Sequence, residues 1–156
     1  MEWAAPFIVR RDEAGAIALP VLVFDGSCGF CTWAVRSART ADRGSRVNYI
    51  AHQFLSRAEF TALGVEPNRC GREVVFVDAQ RSVLGGARAV NAYALASGWA
   101  LARFAARLRL PPPLLALEAA AYRWIARHRI TISRLLGTAG YALIDASVES
   151  NGARSE

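Results

Sequence analysis

The stretch Val21-Leu-Val-Phe-Asp-Gly-Ser-Cys-Gly-Phe-Cys31 decides how the chain folds and where its chemistry lies. The apolar run over residues 19–24 is rich in β-forming side chains and is closed by Asp25-Gly26, so it predicts a buried strand followed by a turn. Ser27 is the predicted N-cap of a helix that runs from about Cys28 to Thr40. The sequence therefore predicts a pair of cysteines on the first turn of a helix that follows a strand.

That position activates a thiol. The N–H groups and the macrodipole at a helix N-terminus favour an anion, which lowers a thiol's pKa, and the thiolate is the reactive form. Cys28 is predicted to be the exposed nucleophile, and Cys31 the more buried resolving thiol that releases a mixed disulfide. This interpretation favours a thiol-disulfide oxidoreductase that acts on a protein or small-molecule disulfide or thiol, without a cofactor or a metal.

Two other interpretations of the Cys-x-x-Cys pair remain open. The pair could be half of a zinc site, but such sites usually need two more ligands, and the spare candidates Cys70, His52 and His128 form no second pair. The cysteines could also be two small buried helix residues. A redox measurement and a metal analysis would separate these interpretations.

Asp25 is the third candidate site residue. Its charge would raise nearby thiol pKa values, while its carboxylate could accept the proton of Cys31 or hold the Asp25-Gly26 turn through hydrogen bonds to the backbone. Gly26, Ser27 and His52, which follows the second predicted strand, are accessory candidates. Cys70 is another, and it is favoured as a small loop residue over a second resolving or regulatory thiol.

The remaining pattern completes a thioredoxin-like order of elements. Residues 47–51 predict a strand, 54–63 a helix with Ser56 and Glu59 near its start and Gly64 at its end, and 73–78 a third strand. A polar loop over 79–82 and an apolar pair at 83–84 predict an antiparallel hairpin, and a helix follows over 87–97. The predicted fold is therefore α/β, with a β-α-β-α-β-β-α core over residues 19–98.

The chain outside this core is predicted to be largely helical. A helix over 101–108 should be broken by Pro111-Pro112-Pro113, a second should run over 114–128 with His128 near its end, and a short last helix over 132–137. The predicted organisation is an N-terminal extension over 1–18, a basic helical extension over 99–137 packed on the core, and a flexible tail over 138–156.

Composition bounds the partners. The chain has 156 residues, which suits one domain, and its 19 basic residues are all arginine. Residues 87–137 hold eight arginines and one acid, so the basic character belongs to that segment. An alternative function is a non-catalytic interaction module whose basic helical face meets an anionic surface. The arginines assigned to that surface are Arg103, Arg107, Arg123, Arg127 and Arg134. The chain has no recognised nucleic-acid motif, no apolar run long enough for a membrane span and no targeting segment, so we expect a cytoplasmic protein.

The residues also resemble a known family. Asp25-x-x-Cys28-x-x-Cys31 after an apolar strand is similar to the signature of the DCC family of thiol-disulfide oxidoreductases. The segment from Asp78 to Val90 with its Gly85-Gly86 pair, and the C-terminal stretches Tyr122–Arg127 and Ser133–Leu136, resemble later segments of that family in the same order. The resemblance covers about residues 20–137 and implies a redox-active cysteine pair on a thioredoxin-like fold, without supplying a physiological substrate.

Overall fold

The structure is a computed structural model that describes residues 9–42, 46–98 and 112–143. Its four-stranded sheet has the order β2-β1-β3-β4. The strands are β1 (Val21–Phe24), β2 (Asn48–Ala51), β3 (Val75–Val77) and β4 (Val83–Gly85). Strand β1 is parallel to β2 and antiparallel to β3, and β3 and β4 form the predicted hairpin.

The described residues form five helices around the sheet. They are α1 (Gly29–Ala41), α2 (Arg57–Leu63), α3 (Pro67–Cys70), α4 (Ala87–Ala96) and α5 (Pro112–Leu135), with 3-10 turns at His52–Phe54 and Ala139–Tyr141. Apart from the short helix α3, the core repeats the β-α-β-α-β-β-α order of the sequence prediction. The thioredoxin-like fold is therefore confirmed.

Strand β1 is the centre of the molecule because both of its faces are buried. Its four residues are at most 5% exposed, and successive side chains point to opposite faces. Val21 and Val23 join the hydrophobic cluster that includes α2, whereas Leu22 and Phe24 join the one that includes residues of α1 and α4. Burial on both faces explains why this segment is a continuous apolar run instead of an alternating one.

Helix α2 begins at Arg57, three residues later than predicted, because Ser56 is its N-cap. The Ser56 side chain accepts a hydrogen bond from the Glu59 amide, and the Glu59 carboxylate accepts hydrogen bonds from the Ser56 amide and hydroxyl. These bonds, together with Arg11, hold the pKa of Glu59 at about 2. Gly64 ends the helix in the left-handed conformation, as expected of a C-terminal glycine.

The C-terminal helix differs from its prediction. Helix α5 is one continuous element of 24 residues, not a helix over 114–128 followed by a second over 132–137. His128 therefore lies inside the helix and not at its end, and its Nδ1 atom lies 2.8 Å from the Trp124 carbonyl oxygen. The intervening residues contain no glycine or proline, so nothing in them interrupts the helical hydrogen bonds. The helix predicted over 101–108 lies outside the described residues, as does Pro111 of the predicted break, whereas Pro112 and Pro113 begin α5.

Both predicted terminal segments take part in the fold where the structure describes them. Ile17 is buried in the core, and Arg11 and Ile17 form an isolated antiparallel bridge. At the other end, Gly137 has a φ of 65°, which turns the chain back toward the sheet. Residues 138–143 then pack against α1, so the start of the predicted flexible tail is an ordered turn. No helix among the described residues is long and apolar enough to cross a membrane.

Candidate functional site

The two cysteines of the Cys-Gly-Phe-Cys sequence lie at the N-terminus of α1 and are joined by a disulfide. Their Cα atoms are 5.2 Å apart. Cys28 is the N-cap itself, and its sulfur accepts a hydrogen bond from the Cys31 amide at 3.2 Å. The prediction of Ser27 as the N-cap was wrong because the Ser27 hydroxyl instead donates to Asp25 Oδ1 at 2.6 Å. A sulfur atom thus takes the place that a capping oxygen usually holds.

The exposure of the two cysteines is the reverse of the prediction. Cys28 is buried, with 7% of its surface exposed, whereas Cys31 is partly exposed. The segment over 138–143 packs on the loop around Cys28: the Leu143 amide donates to the Gly26 carbonyl at 2.8 Å, and the Thr138 carbonyl lies directly against Gly29. The sequence prediction considered only the helix terminus, so it could not anticipate this long-range packing.

Asp25 is the hub of a polar network directly after β1. Its Oδ1 atom accepts hydrogen bonds from the Ser27 amide at 3.0 Å, from the Ser27 hydroxyl and from Gln53 Nε2 at 2.9 Å. Its Oδ2 atom lies 3.2 Å from Arg129, and His52 Nε2 is 3.8 Å from Oδ1. Burial alone would raise the pKa of Asp25, but the bonds from Ser27 and Gln53 and the charge of Arg129 together lower it. Asp25 is therefore a carboxylate at neutral pH.

Topology explains how these side chains meet. Strands β1 and β2 are parallel, so the residues that follow them, Asp25 and the His52–Phe54 turn, lie at the same edge of the sheet. The sequence prediction included His52, which follows the second strand, but missed Gln53, which the same position in the chain could have indicated. It also missed Arg129, which reaches the site from α5, more than 100 residues along the chain. No local pattern around Arg129 marks it, because its role depends on how α5 packs.

A family model shows which family the chain belongs to. The model of the DCC1-like thiol-disulfide oxidoreductases matches residues 22–135, most of the chain and nearly all of the fold described above. The chain belongs to the DCC1-like thiol-disulfide oxidoreductase family. The bonded Cys28–Cys31 pair fits the Cys-x-x-Cys motif of such an oxidoreductase. No significant match was found among curated proteins or among solved structures.

The third cysteine of this oxidoreductase is buried in the core. Cys70 ends the short helix α3 and has no exposed surface, so it does not lie in a loop as predicted. Burial raises the pKa of its thiol to about 11, and the Cys70 thiol is therefore protonated at neutral pH. Its suggested role as an accessory thiol remains a prediction.

The two alternative functions, metal binding and binding of an anionic partner, depend on different groups of residues. Within residues 9–42, 46–98 and 112–143, no three His, Cys, Asp or Glu side chains are grouped so that they could hold a metal ion. Arg123, Arg127 and Arg134 are exposed along α5, while Arg103 and Arg107 lie outside the described residues. Binding of an anionic surface by these arginines remains a prediction.

Proposed function

We propose that this oxidoreductase exchanges its Cys28–Cys31 dithiol with substrate disulfides, with Cys28 as the nucleophile and Cys31 as the resolving thiol. The observation that carries the proposal is the N-cap position of Cys28, whose sulfur already accepts the Cys31 amide hydrogen. In the reduced protein the same N–H group and the helix dipole would stabilise a thiolate on Cys28. Cys31 lies one turn along the helix, and no described residue donates a hydrogen bond to its sulfur.

The exchange balances as two substitutions at sulfur. The Cys28 thiolate attacks one sulfur of a substrate R–S–S–R′, which forms the mixed disulfide Cys28–S–S–R and releases R′ as a thiolate. The Cys31 thiolate then attacks the Cys28 sulfur, releases R as a second thiolate and forms the Cys28–Cys31 disulfide. Two electrons pass from the protein to the substrate, and the two thiol protons pass to solvent or to the released sulfurs.

Asp25 and Arg129 act in this proposal as positioning residues. Asp25 fixes the turn before Cys28 through Ser27, and its ionised carboxylate would by itself oppose a second negative charge on a nearby thiol. Arg129 pairs with that carboxylate at 3.2 Å and so offsets its charge. The ion pair therefore lets the anchoring carboxylate lie at the end of β1 without suppressing the thiolate. Proton acceptance from Cys31 by Asp25 remains a prediction.

The observed geometry restricts the access of a substrate to Cys28. Since the segment over 138–143 packs on Gly26 and Gly29, attack by Cys28 on a substrate requires that segment to give way or the substrate to approach past it. Local openings of short segments occur well below the free energy of global unfolding, so attack requires this turn to open but not the core to unfold.

The activity is tested with pre-reduced protein and a chromogenic aryl disulfide, following the released thiolate by absorbance. We expect the wild type and Cys70→Ala to reduce the substrate at similar rates, because Cys70 is buried and protonated. We expect Cys28→Ser to lose the reaction. Equal rates for Cys28→Ser and the wild type would contradict the proposed function.

A further inference from the structure

An apolar cavity adjoins the redox-active disulfide. It has a volume of about 420 Å³, and its wall includes Cys31, the neighbouring Phe30, and Leu22 and Phe24 on one face of β1. This volume is within the range of small-molecule sites in proteins. The position of Cys31 in the wall means that a molecule held there would lie beside the reacting sulfurs.

Small side chains on three helices create the space. Ala34 and Ala38 of α1, Ala94 of α4 and Ala126 of α5 all line the cavity, and each is half-buried. Protein interiors are normally filled as densely as organic crystals. Here three helices each present only small alanine side chains to the same space, and the described side chains therefore do not fill it. The cavity is thus a consequence of side-chain size, and larger residues at these positions would close it.

The polar groups of the wall already have partners within the protein. Arg129 pairs with Asp25 and donates to the Gly71 carbonyl at 2.7 Å, and Glu73 pairs with Arg69. The Arg72 guanidinium donates to the Asn68 carbonyl at 3.2 Å.

The two tyrosine hydroxyls of the wall are also engaged. Tyr122 accepts a hydrogen bond from the Val74 amide at 3.0 Å, and Tyr93 donates to the Ala38 carbonyl at 2.8 Å. Apart from these groups, most side chains of the wall are apolar. The remaining surface of the wall recognises a ligand through apolar contact and shape.

We propose that this cavity binds an uncharged, apolar small-molecule disulfide as a substrate of the cysteine pair. The inference rests on the proposed function, because it assigns the substrate class of that same exchange. One alkyl or aryl group of the disulfide occupies the cavity, which places its sulfurs beside Cys31, next to the Cys28 sulfur to which Cys31 is bonded in the oxidised protein. The exchange then follows the two substitutions above and yields two apolar thiols and the Cys28–Cys31 disulfide.

A homologous series of symmetrical dialkyl disulfides tests the inference. We expect kcat/KM to rise about four-fold for each methylene of the alkyl chain that enters the cavity, from dimethyl to dipropyl disulfide. Ala126→Leu should lower kcat/KM for dipropyl disulfide about ten-fold by filling the space, while exchange with the charged, polar glutathione disulfide stays unchanged. The matched control is Ala121→Leu, on the exposed face of the same helix. It should leave kcat/KM unchanged for both substrates. Ala94→Val on α4 serves if Ala126→Leu does not fold.

A ligand that cannot exchange separates this inference from the proposed function. Dipropyl sulfide has no disulfide bond, so its binding, measured by calorimetry, reports on the cavity alone, and we expect Ala126→Leu to weaken it. If kcat/KM did not change along the dialkyl disulfide series while exchange with glutathione disulfide was retained, the cavity inference would be overturned and the proposed function would stand. Loss of all exchange with retained sulfide binding would overturn the proposed function instead. A preference for a cystine-containing peptide that Ala126→Leu leaves unchanged would also overturn the inference.

Discussion

Gly29 lies where the segment over 138–143 meets the cysteine loop, and a methyl group there would have no room. A Cβ atom on Gly29 would overlap the Thr138 carbonyl oxygen and come within 2.9 Å of Ala139 Cα. Carbon atoms in contact prefer separations of about 3.5–4.0 Å, so the segment would have to retreat by roughly 1 Å. The atoms in the way belong to the backbone and cannot rotate aside.

The expected cost follows from two opposing effects. Overpacking of this kind destabilises proteins by about 1–3 kcal/mol. Alanine in place of glycine inside a helix is favourable by up to about 1 kcal/mol, and Gly29 is the first helical residue, where that gain is smaller. We therefore expect Gly29→Ala to lower the free energy of unfolding by about 1–2 kcal/mol. As the segment retreats, Cys28 in the reduced protein should also become more accessible to alkylation.

Urea unfolding followed by tryptophan fluorescence measures the free energy, and iodoacetamide labelling with mass spectrometry measures access to Cys28. The control is Gly140→Ala in the same turn, because a Cβ atom there would meet no atom within 4 Å. This variant should behave like the wild type in both assays. If Gly29→Ala were as stable as the wild type and its Cys28 were no more reactive, the packing of this segment on the cysteine loop would be refuted.

Three further variants test the site and its support. Arg129→Met leaves the Asp25 carboxylate without the Arg129 cation, so alkylation of Cys28 in the reduced protein should shift to higher pH than in the wild type. An unchanged pH profile would show that Arg129 does not influence the Cys28 thiol. Tyr122→Phe leaves a partly buried backbone amide without its acceptor and should cost about 1–3 kcal/mol in urea unfolding, whereas a loss well under 1 kcal/mol would show that the bond is replaced. The lowered pKa of Glu59 adds stability above its ordinary value near 4.5 that is lost as the pH falls toward about 2, so Glu59→Gln should flatten the stability profile in that window, and an unchanged slope would contradict this.

The sequence was sufficient for elements that local chemistry determines. The apolar run of β1, the capping residues Ser56 and Glu59, and Gly64 each act within a few residues of the structure they specify. The position of the cysteine pair at a strand-to-helix junction also follows from local pattern. The core fold and the location of the chemistry were therefore predictable.

The details that the sequence missed depend on contacts distant along the chain. Cys28 is buried because residues 138–143 fold back onto its loop, and Arg129 joins the site because α5 packs beside α1. Serine is a residue type that often caps helices, but the Ser27 hydroxyl donates its hydrogen bond to Asp25, and the N-cap is Cys28 instead. In each case the tertiary partner overrides a local preference that was reasonable in isolation.

The assignment of Cys28 as nucleophile is tested most directly by trapping the mixed disulfide. Reduced Cys31→Ser and reduced Cys28→Ser are each mixed with the same aryl disulfide, and the adducts are identified by mass spectrometry. We predict a stable adduct on Cys28 in Cys31→Ser, because the resolving thiol is missing, and a much slower adduct in Cys28→Ser. Faster formation of an adduct on Cys31 in Cys28→Ser would contradict the account and assign the nucleophile to the more exposed cysteine.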